Sequence, residues 1–170
     1  MTVVCNTSPL LFLAKIQRLD LLPRLYSTIR IPAAVLDEFS AKSDQEAVQI
    51  QALVDVGTLA LQHVTAQILA DVPATLGRGE REAIALALET AADLVILDDQ
   101  QGRHYARTRG LTVTGTLGVL VEARARGFLR ALRPELERLR AAGMWITEAW
   151  YQRLCQDEAA EVELQDRSNP

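Results

Sequence analysis

Short aliphatic runs recur along this chain, each closed by proline, glycine or a polar residue and followed by helical periodicity. Val3-Val4-Cys5 is the first, an apolar strand closed by Asn6-Thr7-Ser8-Pro9. Pro9 suits an early helical position, with Thr7 or Ser8 as cap, opening Leu10-Leu11-Phe12-Leu13-Ala14. A second helical piece over 19–26 leads to the strand Thr28-Ile29-Arg30-Ile31, which Pro32 ends before a helix over 33–39. The stretch 43–56 is amphipathic, with Ala47, Ile50, Leu53 and Val54 opposite Asp44, Glu46, Gln49 and Gln51. A strand is expected over 59–64, and a helix over 79–92 so apolar that it must be nearly enclosed. Leu94-Val95-Ile96-Leu97 is an unbroken aliphatic run of the kind buried on both faces of a parallel sheet. A helix over 100–108 stops at Gly110, a strand over 111–114 follows, and Gly115-Thr116-Leu117-Gly118 turns into a helix reaching Arg126. The stretch 129–155 reads as two helices around a break at Gly143. Strands alternating with helices predict an α/β fold around a mostly parallel sheet of four to five strands.

Composition narrows this picture. The 170 residues suffice for one domain with a proper core, taken here as 1–164 with a frayed tail over 165–170. Apolar residues make up 49% but aromatic ones only 5%, so the core must be aliphatic. Cys5 and Cys155 have no ligand spacing and are expected to be buried free thiols, and His63 and His104 sit in unremarkable contexts. The start lacks a basic leader region, and no apolar stretch is long enough to span a membrane, so a cytoplasmic protein is expected.

Net charge is −4, which excludes a non-specific nucleic-acid coat, but its distribution is uneven. Between 103 and 140 lie Arg103, Arg107, Arg109, Arg124, Arg126, Arg130, Arg133, Arg138 and Arg140, against only Glu122, Glu135 and Glu137. The end of the chain reverses this with Asp157, Glu158, Glu161, Glu163 and Asp166, a stretch expected to shield the arginine face. An arginine-rich surface fits an enzyme acting on a polyanion and equally fits solvated helix faces.

Candidate chemistry sits at strand ends and helix starts. Ligands in parallel α/β sheets bind beyond the carboxyl ends of the strands. Asn6 follows the first strand and Asp98-Asp99 follow the clearest one, so neighbouring strands would put them on one rim. Helix capping is the competing account of the two aspartates, and an Asx turn that of Asn6. Glu80 and Glu82 fall in a first helical turn, where the dipole alone favours a glutamate. Gly77-Arg78-Gly79 is not a dinucleotide loop, because a loop precedes it and Glu82 stands where glycine is required. Glu38 on its own would be a solvent-facing glutamate. Together, Asn6, Glu38, Glu80 and Asp98 or Asp99 would line an oxygen-rich pocket suited to a hard divalent cation, and hence to phosphodiester chemistry.

Several segments then resemble one known family. Asn6-Thr7-Ser8-Pro9-Leu10, Ile31-Pro32 with Val35 and Glu38, and Gly79-Glu80 with Ala83-Ile84-Ala85-Leu86-Ala87 are similar to PIN domains. So are Leu97-Asp98-Asp99 with Gly102-Arg103, and Gly115-Thr116-Leu117-Gly118-Val119-Leu120, within a prokaryotic subgroup that starts Asn-Thr-Ser-Pro. The resemblance runs from Val3 to about Leu154. It implies a three-layer α/β/α sandwich and acids gathered at one rim around Mg²⁺ or Mn²⁺. It also implies cleavage of single-stranded RNA, commonly by dimeric toxins of VapBC-type toxin–antitoxin pairs. Carried over by position, the metal-binding acids fall on Asn6, Glu38, Glu80 and Asp99, with Asp98 beside it as the alternative. Thr7, Ser8 and Thr116 would lie near the same rim, and Arg103 and Arg107, one helical turn apart, would grip flanking phosphates.

Asn6 departs from the family's usual aspartate. An amide oxygen coordinates without charge, so weaker metal affinity is expected. Two readings follow: a metal-dependent ribonuclease, or a nuclease-shaped module that docks an antitoxin or RNA without cutting. An aspartyl-phosphate phosphatase ranks last, since Asn6 cannot be its nucleophile. The apolar helices over 9–14 and 33–39 add the expectation of a homodimer or an antitoxin groove.

Overall fold

β1 (Val3–Cys5) lies at the centre of a five-stranded sheet in the computed structural model, which describes residues 1–41 and 44–156. The order is β3-β2-β1-β4-β5, with β2 (Ile29–Pro32), β3 (Leu59–Gln62), β4 (Leu94–Ile96) and β5 (Val113–Thr114). Every pairing is parallel, so each connection must cross over one face of the sheet. Helices make these crossings: α1 (Thr7–Lys15) and α2 (Leu21–Tyr26), then α3 (Ala33–Ser40) and α4 (Gln45–Asp55), then α5 (Ala66–Ala70) and α6 (Arg78–Glu89), then α7 (Gln100–Thr108). After β5 come α8 (Thr116–Ala125), α9 (Arg133–Ala141) and a helical run over 148–156.

The pleat of β1 divides the core in two. Val3 and Cys5 point into one apolar cluster with Leu10 and Leu13 of α1, Leu22 of α2 and Val119 of α8. Val4 points into the other, with Val95, Leu97, Ala106 of α7 and the successive residues Ala83, Ile84, Ala85, Leu86 and Ala87 of α6. Those five α6 residues are fully buried, and their three alanines let the helix approach the sheet closely. The result is the expected α/β/α sandwich, with the sheet covered on both faces.

Local differences have local causes. α1 starts at Thr7 with Asn6 as its N-cap, so neither Thr7 nor Ser8 caps it. β5 is two residues long because the Leu111 N–H bonds to the Ala106 carbonyl at 3.1 Å, closing α7 through Gly110 at φ +80°. β3 stops at Gln62, and the sequence pattern does not announce α5, too short to show a helical period. α9 and the run over 148–156 flank Gly143 at φ +95°, as the break predicts. Cys5 and Cys155 are buried and free. Among the described residues no helix is long and apolar enough to cross a membrane. Ser43, the acidic stretch 157–166 and the tail 165–170 lie outside the described residues.

Candidate functional site

Parallel pairing of β1 with β4 sets Cys5 against Ile96, so both strands end at one rim of the sheet. The Asn6 N–H donates to the Ile96 carbonyl at 3.1 Å and ties the two exits together. Asn6 and the Asp98-Asp99 pair therefore emerge side by side, as a shared rim requires. α6 brings Glu80 to this rim through its first turn, and α3 brings Glu38.

Gly79 is where these elements meet. A Cβ on Gly79 would lie 2.7 Å from Glu38 Oε1, 2.9 Å from Asn6 Oδ1 and 3.3 Å from Thr7 Oγ1. Three side-chain oxygens thus crowd onto the bare Cα of one glycine, and any larger residue would displace them. Asn6 and Thr7 are buried, and among the described residues neither Asn6 Oδ1 nor Thr7 Oγ1 has a hydrogen-bond partner. Such orphans cost about 1–3 kcal/mol each, an unusual expense unless something else satisfies them.

The acids are arranged in two tiers. Glu80 Oε2 accepts the Gly77 N–H at 2.8 Å. Burial pushes the Glu80 carboxyl above the ordinary range, Asp99 and Glu38 add repulsion, and the Gly77 bond partly offsets this. That mutual repulsion means the three carboxylates share one field. Asp99 Oδ2 caps α7 by accepting the Gly102 N–H at 2.6 Å. Asp98 is more deeply held, accepting the Thr116 N–H at 2.7 Å and the Thr116 hydroxyl at 2.6 Å. Burial raises the Asp98 pKa, against the lowering effect of Thr116 and Arg103. Arg103 is shifted down by its own burial and by Arg107, with Asp98 opposing. Gly115 leaves room for both side chains, since a Cβ there would lie 2.6 Å from Arg103 Nη1 and 2.7 Å from Asp98 Oδ1.

A family model described as "DUF3368: PIN domain" matches residues 2–160. The chain belongs to the PIN-domain family. Its members are typically nucleases. Among solved structures, the PIN domain is similar to a PilT N-terminus domain protein from the archaeon Sulfolobus solfataricus P2, with 20% identity and a TM-score of 0.53 over 72% of this chain and 93% of that one. It also matches VapBC2 from Rickettsia felis bound to a promoter DNA fragment, at 16% identity and a TM-score of 0.48 over 68% and 98% of the two chains. No curated protein sequence matches.

Within this PIN domain, some expected site residues stand elsewhere. Thr116 is fully buried with its hydroxyl committed to Asp98, so it positions that carboxylate and cannot reach a substrate. Glu82, two residues beyond Glu80, turns away: its Oε2 accepts the Ala34 N–H at 2.9 Å and its Oε1 pairs with Arg78. Ser8, Glu80, Asp98, Asp99 and Arg103 line a cavity of about 390 Å³. Arg107 instead lines an adjoining groove of about 480 Å³ beside Val121, Trp150 and Leu154, and Asp98 and Arg103 form the wall between the two. Much of the arginine-rich stretch is spent on ion pairs, Arg126 with Glu122, Arg138 with Glu135 and Arg140 with Glu148. Another cavity, about 840 Å³ near Lys15, Glu46 and Arg138, is lined by none of these acids. Sequence reasoning missed Gly79, Phe12, Met144 and Trp145. Only Gly79 had a signal, its place in Gly77-Arg78-Gly79.

Among the described residues no three His, Cys, Asp or Glu side chains stand close enough to form a ligand set on their own. The donors still fit a hard divalent cation. Mg²⁺ is usually held by one or two carboxylates and keeps several waters, which it shares with phosphate. Asn6 Oδ1, buried and unpartnered beside Glu38 Oε1, supplies an oxygen, and Glu80 and Asp99 each keep a carboxylate oxygen outside their capping bonds.

Proposed function

We propose that this PIN domain is a metal-dependent endoribonuclease that hydrolyses phosphodiester bonds of single-stranded RNA. The observation that carries the reading is the meeting of Asn6 Oδ1, Glu38 Oε1 and Thr7 Oγ1 at Gly79, with Asp99 and Glu38 close enough to repel Glu80. Asn6 Oδ1, Glu38, Glu80 and Asp99 would hold Mg²⁺ or Mn²⁺. A bound ion would supply a water of lowered pKa and would neutralise charge at the scissile phosphate. Asp98, locked by Thr116, favours the charged Arg103 beside it, which lines the cavity, where its guanidinium suits a phosphate flanking the cut. Asp98 thus serves Arg103 better than it serves an attacking water. A toxin role beside an antitoxin, and a homodimer, belong to the same proposal. The groove at Val121, Trp150 and Leu154 offers an apolar surface to such a protein partner.

A second reading, a module that binds without cutting, has one observation in its favour. Asn6 contributes no charge, and among the described residues no compact set of three acids stands in for the missing one. One experiment separates the two. Purified protein should cleave single-stranded RNA with Mn²⁺, and the Glu80→Ala, Asp99→Ala double variant should not; equal activity in that variant rejects the site. Asn6→Asp should change an active enzyme little, whereas activity appearing only in that variant identifies the binding module.

A further inference from the structure

The acid-lined cavity has a second, apolar wall that metal chemistry leaves unused. Phe12 of α1, Leu117 of α8, and Met144 with Trp145 from the turn after α9 face the same 390 Å³ as Glu80 and Asp99. The cavity falls within the range of about 300–1,000 Å³ typical of small-ligand sites. Trp145 is the anomaly, being 85% exposed in a chain with only two tryptophans. A large ring standing in water at the mouth of a polar cavity buries little and stabilises little.

Its backbone, in contrast, is held on both sides. The Met144 N–H donates to the Leu139 carbonyl at 2.9 Å, closing α9 through Gly143. Ile146 is buried, and its carbonyl accepts from Arg140 Nη2 at 3.3 Å. The indole is therefore presented by an anchored turn. Lining the same cavity, Arg103 brings positive charge close to Asp98. An exposed aromatic face beside a cationic phosphate contact is the pairing by which proteins hold single-stranded nucleic acid, one base stacked and its backbone neutralised.

We propose that Trp145 is a stacking platform for one unpaired nucleobase of single-stranded RNA, next to the phosphate that the acids address. Phe12 and Met144 form the apolar floor beside it. The proposal rests on the ribonuclease reading for the identity of the strand, and it names a subsite that reading does not need. Sequence preference at the stacked position would be weak, because every base has a π-face.

The test uses Trp150→Phe protein, in which Trp145 is the sole tryptophan and is excited at a wavelength the tyrosines do not absorb, with Mg²⁺ and a hexauridylate. The indole emission should be quenched by hexauridylate and not by an abasic sugar-phosphate chain of equal length. In cleavage assays Trp145→Ala should raise KM on the order of tenfold, about 1.4 kcal/mol, with kcat kept within a few-fold, and Trp145→Phe should recover most of the loss. Equal quenching by the abasic chain, no quenching at all, or an unchanged KM in Trp145→Ala overturns the proposal; an indole that serves a protein interface would give the second of these results. Quenching requires no turnover. A protein that quenches but never cuts sinks the ribonuclease reading and leaves this subsite standing.

Discussion

Glu80 carries two duties that pull in opposite directions. One carboxylate oxygen stabilises the start of α6 through Gly77, while burial and repulsion from Asp99 and Glu38 penalise its charge. Its folded pKa lies above the unfolded one, so the fold gains from protonation. That gain is complete below the ordinary carboxylate range and is lost as pH rises through the raised value. Glu80→Gln keeps an acceptor for Gly77 and removes the charge. In chelator at about pH 7 its Tm should match or exceed wild type by a few degrees, and the gap should close near pH 4, where both side chains are neutral. Added Mg²⁺ should stabilise wild type and leave Glu80→Gln little changed. A Tm several degrees below wild type in chelator would show that the charge supports the fold, contrary to this account. Asn6 is the other instructive residue. An Asx turn is an adequate account from sequence, and only the unpartnered Oδ1 among the described residues points beyond capping.

At the scale of elements, helix starts do the positioning. α6, α7 and α8 each begin at the rim, and an acid satisfies backbone N–H groups at each start: Glu80 at Gly77, Asp99 at Gly102, Asp98 at Thr116. Glu82 does the same for α3 from a distance, accepting the Ala34 N–H. That bond joins the helix carrying Glu80 to the helix carrying Glu38. Glu82→Ala should cost about 1–2 kcal/mol, the usual loss of a helix-start acceptor, read from the urea midpoint. The Arg78 pair is solvent-exposed and adds little. Activity should fall by more than the stability change explains, because α3 loses its tether; full activity in folded Glu82→Ala protein would deny the tether any role at the site.

Across the whole molecule the negative net charge and the arginine-rich stretch are reconciled by pairing, since Arg126, Arg138 and Arg140 are matched by Glu122, Glu135 and Glu148. RNA binding should therefore show a shallow salt dependence. Arg107→Ala should flatten the log–log slope by about 0.7, the value for one phosphate on a single strand, and an unchanged slope would remove Arg107 from the strand's path. By itself the sequence determined the sheet, the enclosed α6 and the family, because strand and helix periods, prolines and Gly110 or Gly143 act within a few residues of themselves. Tertiary structure decided how the acids meet. Helix periodicity does not separate Glu80 from Glu82, and only the resemblance singled out Glu80; the folded α6 starts at Arg78, and its rotation sets Glu80 near Asp99 and Glu82 on the Ala34 N–H. Phe12 and Trp145 likewise share a cavity only because the crossovers carry α1 and the turn after α9 to the same rim.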